Sequence, residues 1–282
     1  MTSTAFNPNI HFPYPYTDIH PDSIIQTSDE VLFHVHRDRL QTRSRTAFDG
    51  LFTDNSTVGL NRSLVVFLVP EDATVMNCVL HILYGTSSRI YCPDFETIAQ
   101  AFETLQKYGC RLSECIPQDS EIFTDLVCHA AEPNTDALKV YTLAASHDFE
   151  ELAVQCSYYA LRIPISRIDE GSSIMMGPLY LLRLLRLHAS RRAALHRLLM
   201  EPPERHEDTP FCNWRRQIGT TRAYGLIAGY LTWEAPADAS ATWITTAFER
   251  VIQCVECPRC QINLWARVLG VIRGWNDVKK TI

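Results

Sequence analysis

The glycine patterns that cradle phosphates or expose a nucleophile are missing from this 282-residue chain: it has no P-loop, no dinucleotide fingerprint and no nucleophile elbow. That excludes the nucleotide and acyl-transfer sites those patterns build. A long apolar run is missing too. The most apolar one, Leu179 to Leu187, is interrupted by Arg183 and Arg186 and is far shorter than the roughly 20 residues a spanning helix needs, so no membrane insertion is expected. A basic excess is also lacking. The formal charge of -6 offers no surface for neutralising phosphates, and direct nucleic-acid binding is not expected. There is no internal repeat of fixed period. Cysteine, by contrast, is plentiful: ten residues are scattered along a chain that opens without a basic-then-apolar leader. The expectation is a reduced, intracellular protein, cytoplasmic or nuclear. A hydrophobic content of 46% suffices for one large domain or two to three small ones.

What is present begins at residues 22 to 52. Ile24 and Ile25 open a β-rich run, Ser28-Asp29-Glu30 reads as a tight turn, and Val31 to Val35 returns as a second strand, a hairpin pattern. On that strand Phe33 and Val35 share one face, and His34 and His36 point to the other. After Arg37 the period changes: Leu40, Ser44, Ala47, Phe48 and Leu51 recur at helical spacing. A polar, turn-rich loop follows Phe52. The uninterrupted apolar run Leu64 to Val69 then predicts a strand covered on both faces. Helices are predicted from Thr74 to a stop at Gly85 and from Pro93-Asp94 to a stop at Gly109.

This succession resembles the BTB (POZ) domain. The residues that carry the resemblance are Asp22, Phe33, Val35, His36-Arg37, Leu40, Ser44, Phe48 and Leu51-Phe52, continued by the third strand and the helix ending Leu83-Tyr84-Gly85. Such a resemblance implies an α+β core that binds protein, often as a dimer, with no catalytic activity of its own. By the same resemblance Asp22, His36, Arg37, Leu40 and Phe48 belong to the interaction region. Asp22 and Arg37 lie either at the paired surface, each offsetting the other's desolvation, or in an intramolecular ion pair that fixes the hairpin to the helix.

Beyond Pro117 no convincing strand is read. Ile122 to Ala131, Asp136 to Ser146 and Phe149 to Leu161 read as short helices, and a leucine-arginine stretch runs to Met200 before Pro202-Pro203. The segment from Leu138 to Leu161 and the C-terminal elements resemble the helical half of fungal BTB proteins. The expected architecture is an irregular tail over residues 1–20 and a BTB/POZ-like domain over 21–116. A helical extension over 117–200 and a C-terminal helical region over 201–282 complete it.

One local pattern carries metal chemistry. Cys257-Pro258-Arg259-Cys260 matches half of a tetrahedral zinc site, and Cys212 with His206 can supply the other half. Cys254 is a rival ligand. Against the site stand the long gap from Cys212 to Cys257 and the lack of a second CxxC; the alternative is a set of buried, inert thiols. Arg183, Arg186, Ser190 and Arg197, with Arg191 and Arg192 nearby, read either as a partner surface or as a packed helix pairing with carboxylates. His34 and His36 lack a third ligand nearby. Ser146-His147-Asp148 cannot form a triad by adjacency and reads as a helix cap. No cofactor is expected apart from a structural zinc. The expected partner is a protein, in a homodimer or heterodimer. Two alternatives stand beside that function: an adaptor of a cullin-type ubiquitin ligase, and a zinc-dependent enzyme or zinc-stabilised regulator built on the CxxC.

Overall fold

The structure, a computed structural model, describes residues 9–11, 20–52, 65–133 and 136–282. The polar loop expected after Phe52 lies outside the described residues, as does most of the expected N-terminal tail. The fold is mixed α+β, and the chain divides into two compact units. One comprises residues 1–135 and 143–152, the other residues 136–142 and 153–282.

The first unit holds the sheet. Its strands are β1 (Asn9–His11), β2 (Ser23–Gln26), β3 (Leu32–Val35) and β4 (Val65–Leu68), in the order β1-β3-β2-β4. β2 and β3 form the expected antiparallel hairpin, whereas β1 runs parallel to β3 and β4 parallel to β2. Residues 9–11 correct the reading of 1–20 as wholly irregular: three residues suffice for an edge pairing but carry no detectable alternation. The hairpin turn is held by Thr27, whose hydroxyl donates to Asp29 at 2.6 Å, while Glu30 takes the left-handed conformation. Asp29 Oδ1 also accepts the amide of Ala73 at 3.0 Å, which joins the turn to the start of a helix.

That helix, α2 (Ala73–Tyr84), buries all its residues but Thr74, the polar Asn77 and His81 among them. A helix buried on nearly every side belongs at the centre of a unit. Asp72 caps it by accepting from Val75 N at 2.8 Å. It ends as predicted at Gly85, left-handed at φ 72°, with the amide of Thr86 returning to His81 O. α3 (Phe95–Lys107) packs alongside, capped by Asp94 on Thr97 N. Two short helices follow, α4 (Leu112–Cys115) and α5 (Glu121–Ala131).

Two expectations fail here. The helix predicted through Leu51 is only α1 (Arg37–Arg43), and Ala47, Phe48, Asp49 and Gly50 turn left-handed at φ 50–79°. For the three non-glycine residues this conformation costs roughly 1–2 kcal/mol each. It is held by Ser44, whose hydroxyl accepts from Phe48 N at 2.7 Å and donates to Tyr108 O at 2.5 Å, and by Phe48 stacked on Tyr108 at 4.1 Å. A tight turn keeps residues three and four apart on one side just as a helix does, so spacing alone misleads. Gly109, at φ 72°, brings α3's end so close that any Cβ there would overlap the Thr46 side chain. The second failure is β4. Predicted to be covered on both faces, it is an edge strand with Val65, Val66 and Leu68 exposed by 37%, 48% and 69%.

Helices α6 (Ala137–Ser146) and α7 (Glu150–Ala160) have residues in both units. The second unit is otherwise built from α8 (Glu170–Met200), α9 (Trp214–Glu234), α10 (Ala241–Cys254) and α11 (Pro258–Asn276). α8 kinks where Gly177, at φ 70° and ψ 167°, precedes Pro178. Leu195, Leu199, Tyr224, Leu231, Ile244, Phe248, Leu264, Val268, Val271 and Trp275 fill the space between the four helices. None of these four helices is long and apolar enough to cross a membrane, nor is any other helix among the described residues.

Arg191 of α8 is buried in this unit, with its guanidinium 4.1 Å over the Trp275 ring. It donates to three backbone carbonyls: Nε to Ala237 O at 2.6 Å, and Nη1 to Val278 O at 3.1 Å and Lys279 O at 3.0 Å. The basic stretch therefore contributes an internal clamp at Arg191, hydrogen-bonded to carbonyls and stacked on an aromatic face, with the Asp238 carboxylate near enough to favour its charge. Arg191→Met keeps the volume but removes every donor, and should cost about 2–4 kcal/mol in urea unfolding. An unchanged midpoint would refute the clamp.

His81 on α2 gives a pH dependence. Burial lowers its pKa from 6.5 to about 4. Because the folded value lies below the unfolded one, the unfolded chain binds more protons between those pH values, so stability is complete above about pH 6.5 and declines as pH falls. Denaturant unfolding between pH 7 and 5 should show this decline, on the order of 1–2 kcal/mol, and His81→Gln should reduce it, the part that remains coming from His147 and His188, whose pKa values burial also lowers.

Candidate functional site

The stretch from Glu201 to Asn213 joins α8 to α9 without a helix or strand, as Pro202-Pro203 dictates. It is held by side chains of α11 and α9. Arg267 Nε donates to Glu201 O at 2.8 Å, Asn263 Nδ2 to Glu204 O at 3.0 Å, and Gln217 Nε2 to Asp208 Oδ1 at 3.2 Å. Thr209 and Cys212 form a small knuckle around Pro210, with backbone bonds in both directions and the Thr209 hydroxyl accepting from Cys212 N at 3.0 Å. At the start of α11, Cys257 is the N-cap and Pro258 follows at the first helical position, where its missing N–H costs nothing. Cys260 sits one turn in, so the CxxC spacing brings both thiols to the same end of the helix.

These two segments meet. His206 Nε2 lies 3.4 Å from Cys257 Sγ and 3.3 Å from Cys260 Sγ, and Cys212 Sγ lies 3.6 Å from Cys260 Sγ. The four donor atoms are all within 4.8 Å of one another, and no other such group occurs among the described residues. Cys212 and Cys260 are buried; His206 and Cys257 are partly so. His206 Nδ1 is 2.7 Å from its neighbour's carbonyl, Glu207 O. A carbonyl only accepts, so Nδ1 carries the proton and Nε2 turns its lone pair to the sulfurs. The sulfur of Cys257 makes no capping hydrogen bond, yet the nearby N–H of Cys260 above all, then the Cys212 thiol and the N–H of Arg259, hold its pKa down at about 6. Burial pushes the Cys212 thiol up to about 12 and that of Cys260 upward. A cavity of about 730 Å³ opens beside the group, lined by residues including Phe211, Arg216, Thr220, Arg250 and Cys254. Chemically, three sulfurs and one imidazole nitrogen make a complete set for tetrahedral N/S coordination. Cys254, the rival ligand, is exposed and outside the group.

The residues expected to form the interaction region are placed differently. Leu40 and Phe48 are fully buried within the first unit and cannot meet a partner there. His36 is also buried: its amide donates to Tyr84 Oη at 2.9 Å and its Nδ1 lies 3.2 Å from the same atom, which corrects its expected outward orientation. Asp22 and Arg37 do meet, but through the backbone. Asp22 Oδ1 accepts the amide of Arg37 at 2.8 Å, while the guanidinium donates to Phe52 O and lies 5.6 Å from that ring's centre. The exposed apolar edge of β4 escaped sequence reading because a run buried on both faces and an uncovered edge have the same hydrophobic signature.

No family model matches the chain, and neither does any curated protein or solved structure.

The Asp22 geometry has a measurable consequence. Asp22→Ala removes an acceptor from the first turn of α1 and should lower stability by about 1 kcal/mol in thermal or urea unfolding. It should leave any self-association constant unchanged; a loss of association without loss of stability would instead place the carboxylate at an interface.

Proposed function

We infer that the chain is a protein-interaction module of the BTB/POZ type, acting through binding alone and pairing with a second copy of itself. The observation that carries this reading is the succession from Ser23 to Lys107. It comprises an antiparallel hairpin, a short helix, a strand parallel to the first, a buried helix closed at Gly85, and a further helix packed along it. That is the order the resemblance leads one to expect. The exposed edge of β4 adds support. Edge strands present backbone donors and acceptors that another chain can pair with, and the same strand from a second copy gives the self-matching contact that two-fold symmetry requires. Val65, Val66 and Leu68 supply the apolar area.

Recruitment of a cullin-type ubiquitin ligase is a narrower form of this reading, separable by direct titration with a purified cullin. The zinc-dependent enzyme is supported less well, because a catalytic zinc keeps an open position and four protein donors would leave none.

Light scattering of the full chain at micromolar concentration should give a dimer. Val66→Lys combined with Leu68→Lys should weaken it at least about tenfold, since like charges would face each other across the contact, with the circular dichroism spectrum unchanged. A monomer at all accessible concentrations would overturn the reading.

A further inference from the structure

We propose that His206, Cys212, Cys257 and Cys260 bind one zinc ion in a closed structural site, which ties the segment between α8 and α9 to the start of α11. The inference rests on the second unit alone and stands apart from the interaction reading, which rests on the first.

The argument starts from coordination geometry. Zinc holds thiolate sulfur at about 2.3 Å and imidazole nitrogen at about 2.0–2.1 Å, so the edges of a regular tetrahedron measure roughly 3.8 Å between sulfurs and roughly 3.6 Å from sulfur to nitrogen. The observed separations are 3.6 Å for Cys212 to Cys260, and 3.4 Å and 3.3 Å for His206 to Cys257 and Cys260. With every donor pair inside 4.8 Å, no pair must close by more than about 1.2 Å to reach those edges.

The surroundings suit the same ion. The hydrogen bond of His206 Nδ1 to Glu207 O fixes the ring and leaves Nε2 as the ligand, the arrangement metal-bound histidines use. Three thiolates on a divalent cation carry a net negative charge, and the amino-terminal end of α11 at Cys257 places a positive dipole end against it. Soft sulfur donors with one imidazole select zinc over magnesium or calcium. A disulfide does not account for the cluster. Its sulfurs would sit about 2.05 Å apart, whereas Cys212 and Cys260 are 3.6 Å apart and all three cysteines are free. Without an ion, weak S–H donors provide little reason for three cysteines and an imidazole to converge.

The site would act on the fold. Residues 201–213 lack repetitive hydrogen bonding, and an ion would link His206 to Cys260 across 54 positions of sequence. Closing so long a loop constrains the unfolded chain strongly.

The test uses the full chain, purified under reducing conditions and supplied with zinc. Elemental analysis should find one zinc per chain in the wild type and in Cys254→Ser, whose thiol lies outside the group. Cys260→Ser and His206→Ala should lose it to a chelator that the wild type resists. Cobalt substitution should give the intense visible bands of tetrahedral thiolate coordination. Stripping the metal from the wild type should lower the melting temperature by about 5 °C or more, a readout independent of whether the variants fold. Folded wild-type protein that takes up neither zinc nor cobalt would overturn the proposal, as would equal metal retention in Cys260→Ser and Cys254→Ser.

Discussion

α11 is held at both ends, and the arrangement of the second unit follows from that. At its start Cys257 and Cys260 meet His206 and Cys212; near its end Trp275 lies under Arg191 and donates from Nε1 to Ala239 O at 2.7 Å. Between them Leu264, Val268 and Val271 face the core. Gly274 passes so near Leu198 that a methyl group there would displace the tip of that side chain. A helix fixed at two points along its length can neither slide nor turn, so α9 and α10 pack against a surface whose register is already set.

The first unit achieves order differently. Its central helix, α2, is buried on nearly every side, and α3 packs along it. Local polar contacts settle orientation: Asp29 joins the hairpin to α2, and Tyr84 Oη meets both the amide and the ring of His36 at the entrance to α1. Tyr108 bonds Glu71 through its hydroxyl at 2.6 Å and stacks its ring on Phe48. Aromatic residues with one polar atom therefore sit wherever two elements must keep a fixed angle, since the ring fills space and the hydroxyl sets direction.

Much of this was legible in the sequence. The hairpin, the capped helices starting at Asp72 and Asp94, the stop at Gly85 and the helical second half all rest on local signals that tertiary packing left intact. The four possible metal ligands could be named because Cys257 and Cys260, with two residues between them, match half of a tetrahedral zinc site that Cys212 and His206 can complete. What could not be read was why a gap of more than 40 residues is no obstacle. α9 and α10 run out and back as a pair, returning the chain to the knuckle at Cys212. The left-handed turn at residues 47–50, the bare edge of β4 and the burial of Arg191 were hidden for a related reason. Each depends on partners distant in sequence, and residue type carries no record of them.

Arg191 recognises backbone oxygens, and this shapes how the protein could vary. Its three acceptors belong to Ala237, Val278 and Lys279, but a carbonyl is the same whatever side chain accompanies it. Drift at those three positions would leave the grip untouched, whereas replacing the arginine or the tryptophan beneath it would not. In an alignment of descendants the clamp would surface as two fixed residues among changing neighbours, with no covarying partner to betray what they hold.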